Sequence, residues 1–121
     1  MSALLSLNRV VVFAPDIGRA RQFFGDVLDL RLVRGDDQTL TFQGSNFLLS
    51  VFLCEGNDAP DRYSQRPGAS VAFTVSSLET AVSELATKGV RFLHRTPKTG
   101  PVGRYVAFTD PFGTVFELME S

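Results

Sequence analysis

Apolar and polar positions along the chain change period in a set order, and that order occurs twice. From Leu7 to Ala14 the chain is almost wholly apolar after Arg9, and Pro15-Asp16 closes the run, which predicts a strand. Beyond it Ile17, Ala20, Phe23, Phe24, Val27 and Leu28 recur at steps of three and four, the signature of a helix with one buried face, and Asp16 sits at its N-cap position. Leu30–Arg34, Thr39–Gln43 and Phe47–Leu53 read as strands, with a turn over Gly35–Gln38. The Gly-, Pro-, Asp- and Asn-rich stretch Cys54–Ala69 is a connection. Then the opening pattern returns: Ser70–Val75 as a strand, Ser76 and Glu79 spaced as a capping box, and Leu78, Ala81, Val82 and Leu85 as a helix stripe stopped by Gly89. Val90–His94 reads as a strand, Arg95–Arg104 as a loop, and Tyr105–Glu120 as a closing hairpin.

The hairpin turns at Asp110-Pro111-Phe112-Gly113, where Asp starts the turn, Pro fixes φ and Gly ends it without steric cost. Alternation after the turn puts Val115, Glu117 and Met119 on one face and Phe116 and Leu118 on the other. With Phe116 and Leu118 in a core, Glu117 is a lone carboxylate on a mostly apolar opposite face.

The segments NRVVVFAPDIGRARQFF and ASVAFTVSSLETAVSEL match element for element, about half the chain apart, with Arg9 opposite Ser70. Each half is a βαβββ module, residues 5–54 and 69–120, within a single domain spanning 1–121. One such module cannot cover both faces of its own sheet. The predicted class is therefore α+β, two tandem modules forming a curved sheet around a cup-shaped cavity with the helices outside. Val10, Val12, Val71, Phe73, Phe116 and Leu118 should pack on helices. Arg9, Val11, Phe13, Ser50, Phe52, Ser70, Ala72, Thr74, Val115 and Glu117 should line the concave side.

Composition narrows the chemistry. A chain of 121 residues with 44% apolar and 21% charged residues is an ordinary globular domain, and no run approaches the ~18 apolar residues of a membrane span. A net charge of −1 gives no electrostatic reason to expect nucleic acid or a membrane as partner. The single cysteine, Cys54, excludes an internal disulfide, and with no basic segment leading a long apolar core at the N-terminus a cytoplasmic protein is expected. Phe occurs 11 times and Trp not at all, so some of the aromatic surface should line a cavity rather than fill the core.

The duplicated module, the strand-Pro/Ser-Asp/Ser-helix openings and the ending D-P-x-G-x-x-x-E-L (Asp110, Pro111, Gly113, Glu117, Leu118) resemble the vicinal oxygen chelate superfamily, which includes glyoxalase I, extradiol dioxygenases and the bleomycin resistance proteins. The resemblance implies a divalent metal held by one side chain from the first strand and one from the last strand of each half. Carried onto this chain, those positions are Arg9, Ser50, Ser70 and Glu117. Only Glu117 is an ordinary metal ligand, and Zn²⁺, Fe²⁺ and Mn²⁺ want several imidazole or carboxylate donors. No catalytic metal in the family manner and no cofactor are expected. Instead the Arg9 guanidinium should take the place of the cation and pair with Glu117; the competing reading is that both reach solvent separately.

Arg95, Lys98 and Arg104 could receive an anionic group at the rim, against the simpler reading of a solvated loop, and Tyr105 could donate its hydroxyl to a ligand. Tyr63 and Arg66 could form a lid, although a solvated linker is the plainer assignment. No histidine stands near Ser50 or Ser70 to make a nucleophile of either. The expected function is recognition of a small apolar or aromatic molecule, as the bleomycin-resistance likeness implies, by a homodimer. The alternative is a lyase, isomerase or dioxygenase of the glyoxalase class using Glu117 as general base or residual metal ligand.

Overall fold

The computed structural model describes residues 7, 9–55, 69–100 and 103–120. The chain divides into two compact units, Met1–Gly56 and Asn57–Ser121. The first contains β1 (Arg9–Ala14), α1 (Ile17–Arg21) running into a π-helical turn (Gln22–Val27), β2 (Arg31–Gly35), β3 (Thr39–Gln43) and β4 (Leu48–Leu53). Its sheet has the order β1-β4-β3-β2, with β1 parallel to β4 and the other pairs antiparallel.

Asp16 caps α1 as its side chain suggests, Oδ1 accepting the Arg19 N–H at 3.0 Å. The helix then departs from the simple α period. The Leu28 N–H reaches the Phe23 carbonyl five residues back, at 2.9 Å. In this wider turn the consecutive Phe23 and Phe24 are both buried, their rings edge to face at 5.1 Å. Asp29 leaves the helix in the left-handed region, φ 61°, which Asp tolerates better than most residues. Phe24, Phe42, Leu40 and Leu49 are fully enclosed, each worth about 1.5–3 kcal/mol of apolar burial. Along β1 and β3 buried positions alternate with more open ones, so one face of the sheet forms the core, while the central strand β4 is buried at three successive residues, Leu49, Ser50 and Val51.

The second unit contains β5 (Val71–Val75), α2 (Leu78–Thr87), β6 (Arg91–Phe92), β7 (Lys98–Gly100), β8 (Gly103–Thr109) and β9 (Val115–Glu120). The order is β5-β9-β8-β6 with β7 also on β8, and the first and last long strands, β5 and β9, are again parallel. The α+β class and the doubled βαβββ order are thus present in the structure, together with three local differences from the sequence reading. The cap of α2 is Ser77, whose Oγ accepts the Thr80 N–H at 3.2 Å, not Ser76, and Glu79 is engaged elsewhere. The strand expected over Val90–His94 keeps only Arg91–Phe92 as ladder, because the His94 side chain takes over the next acceptor position. The expected loop Arg95–Arg104 contains β7, paired to β8 through Lys98↔Tyr105 and Gly100↔Gly103. A Cβ on Gly100 would come 3.2 Å from the Tyr105 ring, so glycine there lets the ring lie across the ribbon.

The hairpin turn forms as its residues require. Asp110 Oδ1 accepts the N–H groups of Phe112 and Thr114, both at 2.9 Å, and Gly113 takes φ 95°. Phe108 and Phe116 stack at 5.5 Å on the face toward α2. No helix among the described residues is long and apolar enough to cross a membrane.

Candidate functional site

In the first unit the face away from α1 is organised in rows across the sheet. Arg9, Leu48, Gln43 and Arg31 share one row, and Val11, Ser50, Thr41 and Arg34 the next. Phe13, Phe52 and Thr39 form the third. Arg9 Nη1 donates to Ser50 Oγ at 2.6 Å, and Ser50 Oγ lies 3.1 Å from Thr41 Oγ1. Ser50 is only 1% exposed, so its hydroxyl is satisfied inside the protein and serves to hold the guanidinium. Beside this polar set Val11, Phe13 and Phe52 are 42%, 58% and 37% exposed, with the Phe13 and Phe52 rings 6.1 Å apart. Large apolar side chains with that much free surface, next to an anchored cation, are an open face that offers contact area and a charge, not a core.

In the second unit the corresponding row is Ala72, Glu117 and Ala107. Glu117 therefore stands between two alanines, with no bulky side chain directly opposite it on either neighbouring strand. Thr74, Met119 and Tyr105 share the next row. Ser70 precedes β5 and donates its hydroxyl to the Val115 carbonyl at 2.9 Å. His94 takes a part that sequence reasoning missed. Its Nε2 accepts the Ala107 N–H at 3.3 Å, which makes Nδ1 the protonated nitrogen, donating to the Thr96 carbonyl at 3.0 Å. The ring also packs edge-on against Tyr105 at 5.6 Å. It supports β8 at the residue facing Glu117, a role no spacing rule announces.

Register resolves the position on the last strand of the first unit. Ser50 pairs with Val11, two residues after Arg9, and Glu117 pairs with Ala72, two residues after Ser70. Ser50 and Glu117 are therefore equivalent positions of the two modules. The structure brings Arg9, Val11, Phe13, Ser50 and Phe52 onto one face of the first unit, and Ala72, Thr74, Tyr105 and Glu117 onto one face of the second. Arg9 and Glu117 belong to different units, and the described contact of Arg9 is with Ser50. Arg104 is placed differently. It pairs with Glu120, three residues beyond Glu117 and so on the opposite sheet face, toward α2, and Nη2 meets Glu79 of α2 at 2.5 Å while Nη1 meets Glu120 at 2.8 Å. The side-chain bond to Arg104 is the main cause holding the Glu79 carboxyl below its usual range. Arg95 and Lys98 are exposed, and Tyr63 and Arg66 lie outside the described residues.

Residues 6–118 match the sequence profile of the Glyoxalase/Bleomycin resistance protein/Dioxygenase superfamily. The chain belongs to that superfamily. It is 26% identical over 129 residues to YwkD, an uncharacterized protein of Bacillus subtilis (strain 168), covering 97% of this chain and 98% of the relative. Its fold matches a crystal structure of a glyoxalase family protein from Enterococcus faecalis, with TM-score 0.80, 20% identity and coverage of 97% and 98% of the two chains. It also matches the lactoylglutathione lyase of Agrobacterium tumefaciens, with TM-score 0.69, 19% identity and coverage of 96% and 93%.

The divalent ion implied by this superfamily can be tested against the donors present. Of the two positions in the first unit, Arg9 is a cation with donors only, and the Ser50 oxygen already accepts from it. In the second unit the Ser70 hydroxyl is committed to a main-chain carbonyl, which leaves Glu117 as the one carboxylate of the set. No group of three or more His, Cys, Asp or Glu that could hold a metal occurs among the described residues. This donor set does not fit Zn²⁺, Fe²⁺ or Mn²⁺.

Proposed function

We propose that this chain is a metal-free, ligand-binding member of the superfamily that holds a small organic molecule of apolar or aromatic character. The observation that carries the reading is the set Arg9–Ser50–Thr41 beside exposed Val11, Phe13 and Phe52. The aromatic side chains supply contact area, and the anchored guanidinium supplies orientation. Arg9 thereby stands where relatives place an ion. A cytoplasmic location and a homodimeric state belong to the same proposal.

Thermal-shift screening of small aromatic and thiol-conjugated compounds tests the reading, since a ligand bound by the folded state raises the melting temperature by mass action. Calorimetric titration with Ni²⁺, Zn²⁺ and Mn²⁺ is expected to give no one-to-one site. A stoichiometric metal accompanied by turnover of a hemithioacetal would refute the proposal. It would favour a glyoxalase-class enzyme instead, for which the supporting observation is Glu117 set between Ala72 and Ala107, a carboxylate to which a substrate carbon acid could come close.

A further inference from the structure

The outer strand of the first sheet carries a β-bulge that changes the charge of its open face. Arg31 pairs with Gln43, Leu32 with Phe42 and Arg34 with Thr41, so Val33 is an extra residue without a partner. In an uninterrupted strand two residues an odd number apart point to opposite faces. The bulge instead puts Arg31 and Arg34 on the same side as Gln43 and Thr41, which is the side of Ser50 and Arg9. The register positions of that face hold Arg9, Arg31 and Arg34 and no Asp or Glu, in a chain with 12 basic and 13 acidic residues. The nearest described carboxylate on β2's own turn, Asp36, is held by the Gln38 and Thr39 N–H groups, both at 2.8 Å, with Arg34 a lesser influence on it.

Two of the arginines approach the Ser50–Thr41 row from opposite edges of the sheet. Arg9 lies at one edge of the sheet and reaches inward to Ser50, whose oxygen contacts Thr41 Oγ1. Arg34 is the cross-strand partner of Thr41 from the other edge, about 5 Å away in the main chain. Arg31 is engaged with Gln43 Oε1 at 3.2 Å. Like charges gathered on one face repel one another, and an anion seated among them removes that repulsion while gaining charge-assisted hydrogen bonds. Ser50 occupies one of the five N–H donors of Arg9, and the fork has further donors to offer.

We propose that the molecule received by the first unit carries an oxyanion group, a carboxylate or a phosphate, seated between Arg9 and Arg34 over Thr41, with its apolar body across Val11, Phe13 and Phe52. This rests on the reading that the same face binds a small organic molecule, and adds the charge of that molecule. Thr41, half-buried, donates its hydroxyl to the anion, and Ser50 is a positioning residue acting through Arg9.

The test uses three probes of one aromatic body: 1-naphthoate, 1-naphthyl phosphate and 1-naphthylmethanol. Binding to the full chain is followed by calorimetry at low salt and again with added salt. At least one anion is expected to bind about tenfold or more tighter than the alcohol, an advantage that shrinks with salt. The better of the two anions identifies the group. Arg34→Gln and Arg9→Gln are each expected to weaken the anion about tenfold and leave the alcohol within about twofold, whereas Arg19→Gln, the same charge change on α1, alters neither. Alcohol binding as tight as either anion overturns the inference while leaving the ligand-binding reading in place. An anion preference that survives Arg34→Gln, in a variant whose amide spectrum shows it folded, also overturns it. No binding of any probe at millimolar concentration counts against both.

Discussion

Replacing Asp110 with alanine removes the acceptor that organises the closing hairpin. Its Oδ1 takes the Phe112 and Thr114 N–H groups at 2.9 Å each, and Asp110 and Phe112 are 3% and 4% exposed, so the Phe112 donor does not regain water easily, while Thr114 is half-buried. Each buried donor left without a partner costs about 1–3 kcal/mol. Part of this is offset, because burial of the carboxylate is itself unfavourable and Oδ2 is enclosed with no hydrogen-bond partner. A net loss of about 2–3 kcal/mol is expected for Asp110→Ala. Asp110→Asn keeps the Oδ1 acceptor and sheds the charge, and should remain within about 1 kcal/mol of the parent. Urea denaturation at neutral pH measures both. The pH dependence separates the two contributions. Burial raises the Asp110 pKa in the folded state, so the folded protein holds the proton more tightly than the unfolded chain. That contribution is full below the unfolded value and is lost as pH rises through the raised folded value. The stability of the parent relative to Asp110→Asn should therefore increase on acidification, and referring to the Asn variant cancels the other carboxylates. An alanine variant within about 0.5 kcal/mol of the parent, or a parent that loses ground to Asp110→Asn in acid, would refute the reasoning.

Three further outcomes follow from the geometry. Ser50→Ala should cost about 1 kcal/mol in urea unfolding, because Arg9 is exposed enough to rehydrate while Thr41 is only half-buried, and it should weaken binding of 1-naphthoate by freeing the guanidinium. His94→Phe keeps the ring against Tyr105 but removes the acceptor for the Ala107 N–H, so about 1–2 kcal/mol and the hydrogen-exchange protection of that amide should be lost together. Gly89→Ala meets no atom within 4 Å, yet it forces a Cβ into φ 85°, and a loss of about 1 kcal/mol in thermal unfolding should reflect backbone conformation alone.

The repeat, the Asp16 cap and the sorting of strand faces were legible because a cap follows from one residue type at one position and the period-two and period-3.6 patterns depend only on which residues are apolar. Val12 and Phe116 lie in the core and Val11 and Phe13 on the open side, as alternation requires. What escaped the sequence are features in which one group substitutes for another. His94 replaces a main-chain acceptor on β8, and so the strand expected over Val90–His94 is cut to two residues. The cap of α2 moves to Ser77 because two serines adjoin and Glu79 is drawn to Arg104 rather than back to the helix start. Arg104 itself could be placed on a loop by its neighbours Gly103 and Pro101, but it lies in β8 opposite Thr99 of β7, and its side chain is engaged by two carboxylates, Glu79 and Glu120. The arginines of β2 were not read as a pair, since strict alternation sends them apart.

That extra Val33 is a residue the outer strand could lose without changing which charges share a face. Deleting the Val33 codon would leave Arg31 and Arg34 two positions apart in an even strand, so both positive charges would keep their side and only the local kink and added twist of the outer strand would be lost. Relatives without that residue are therefore expected to keep both arginines together and to differ in how sharply the outer strand twists.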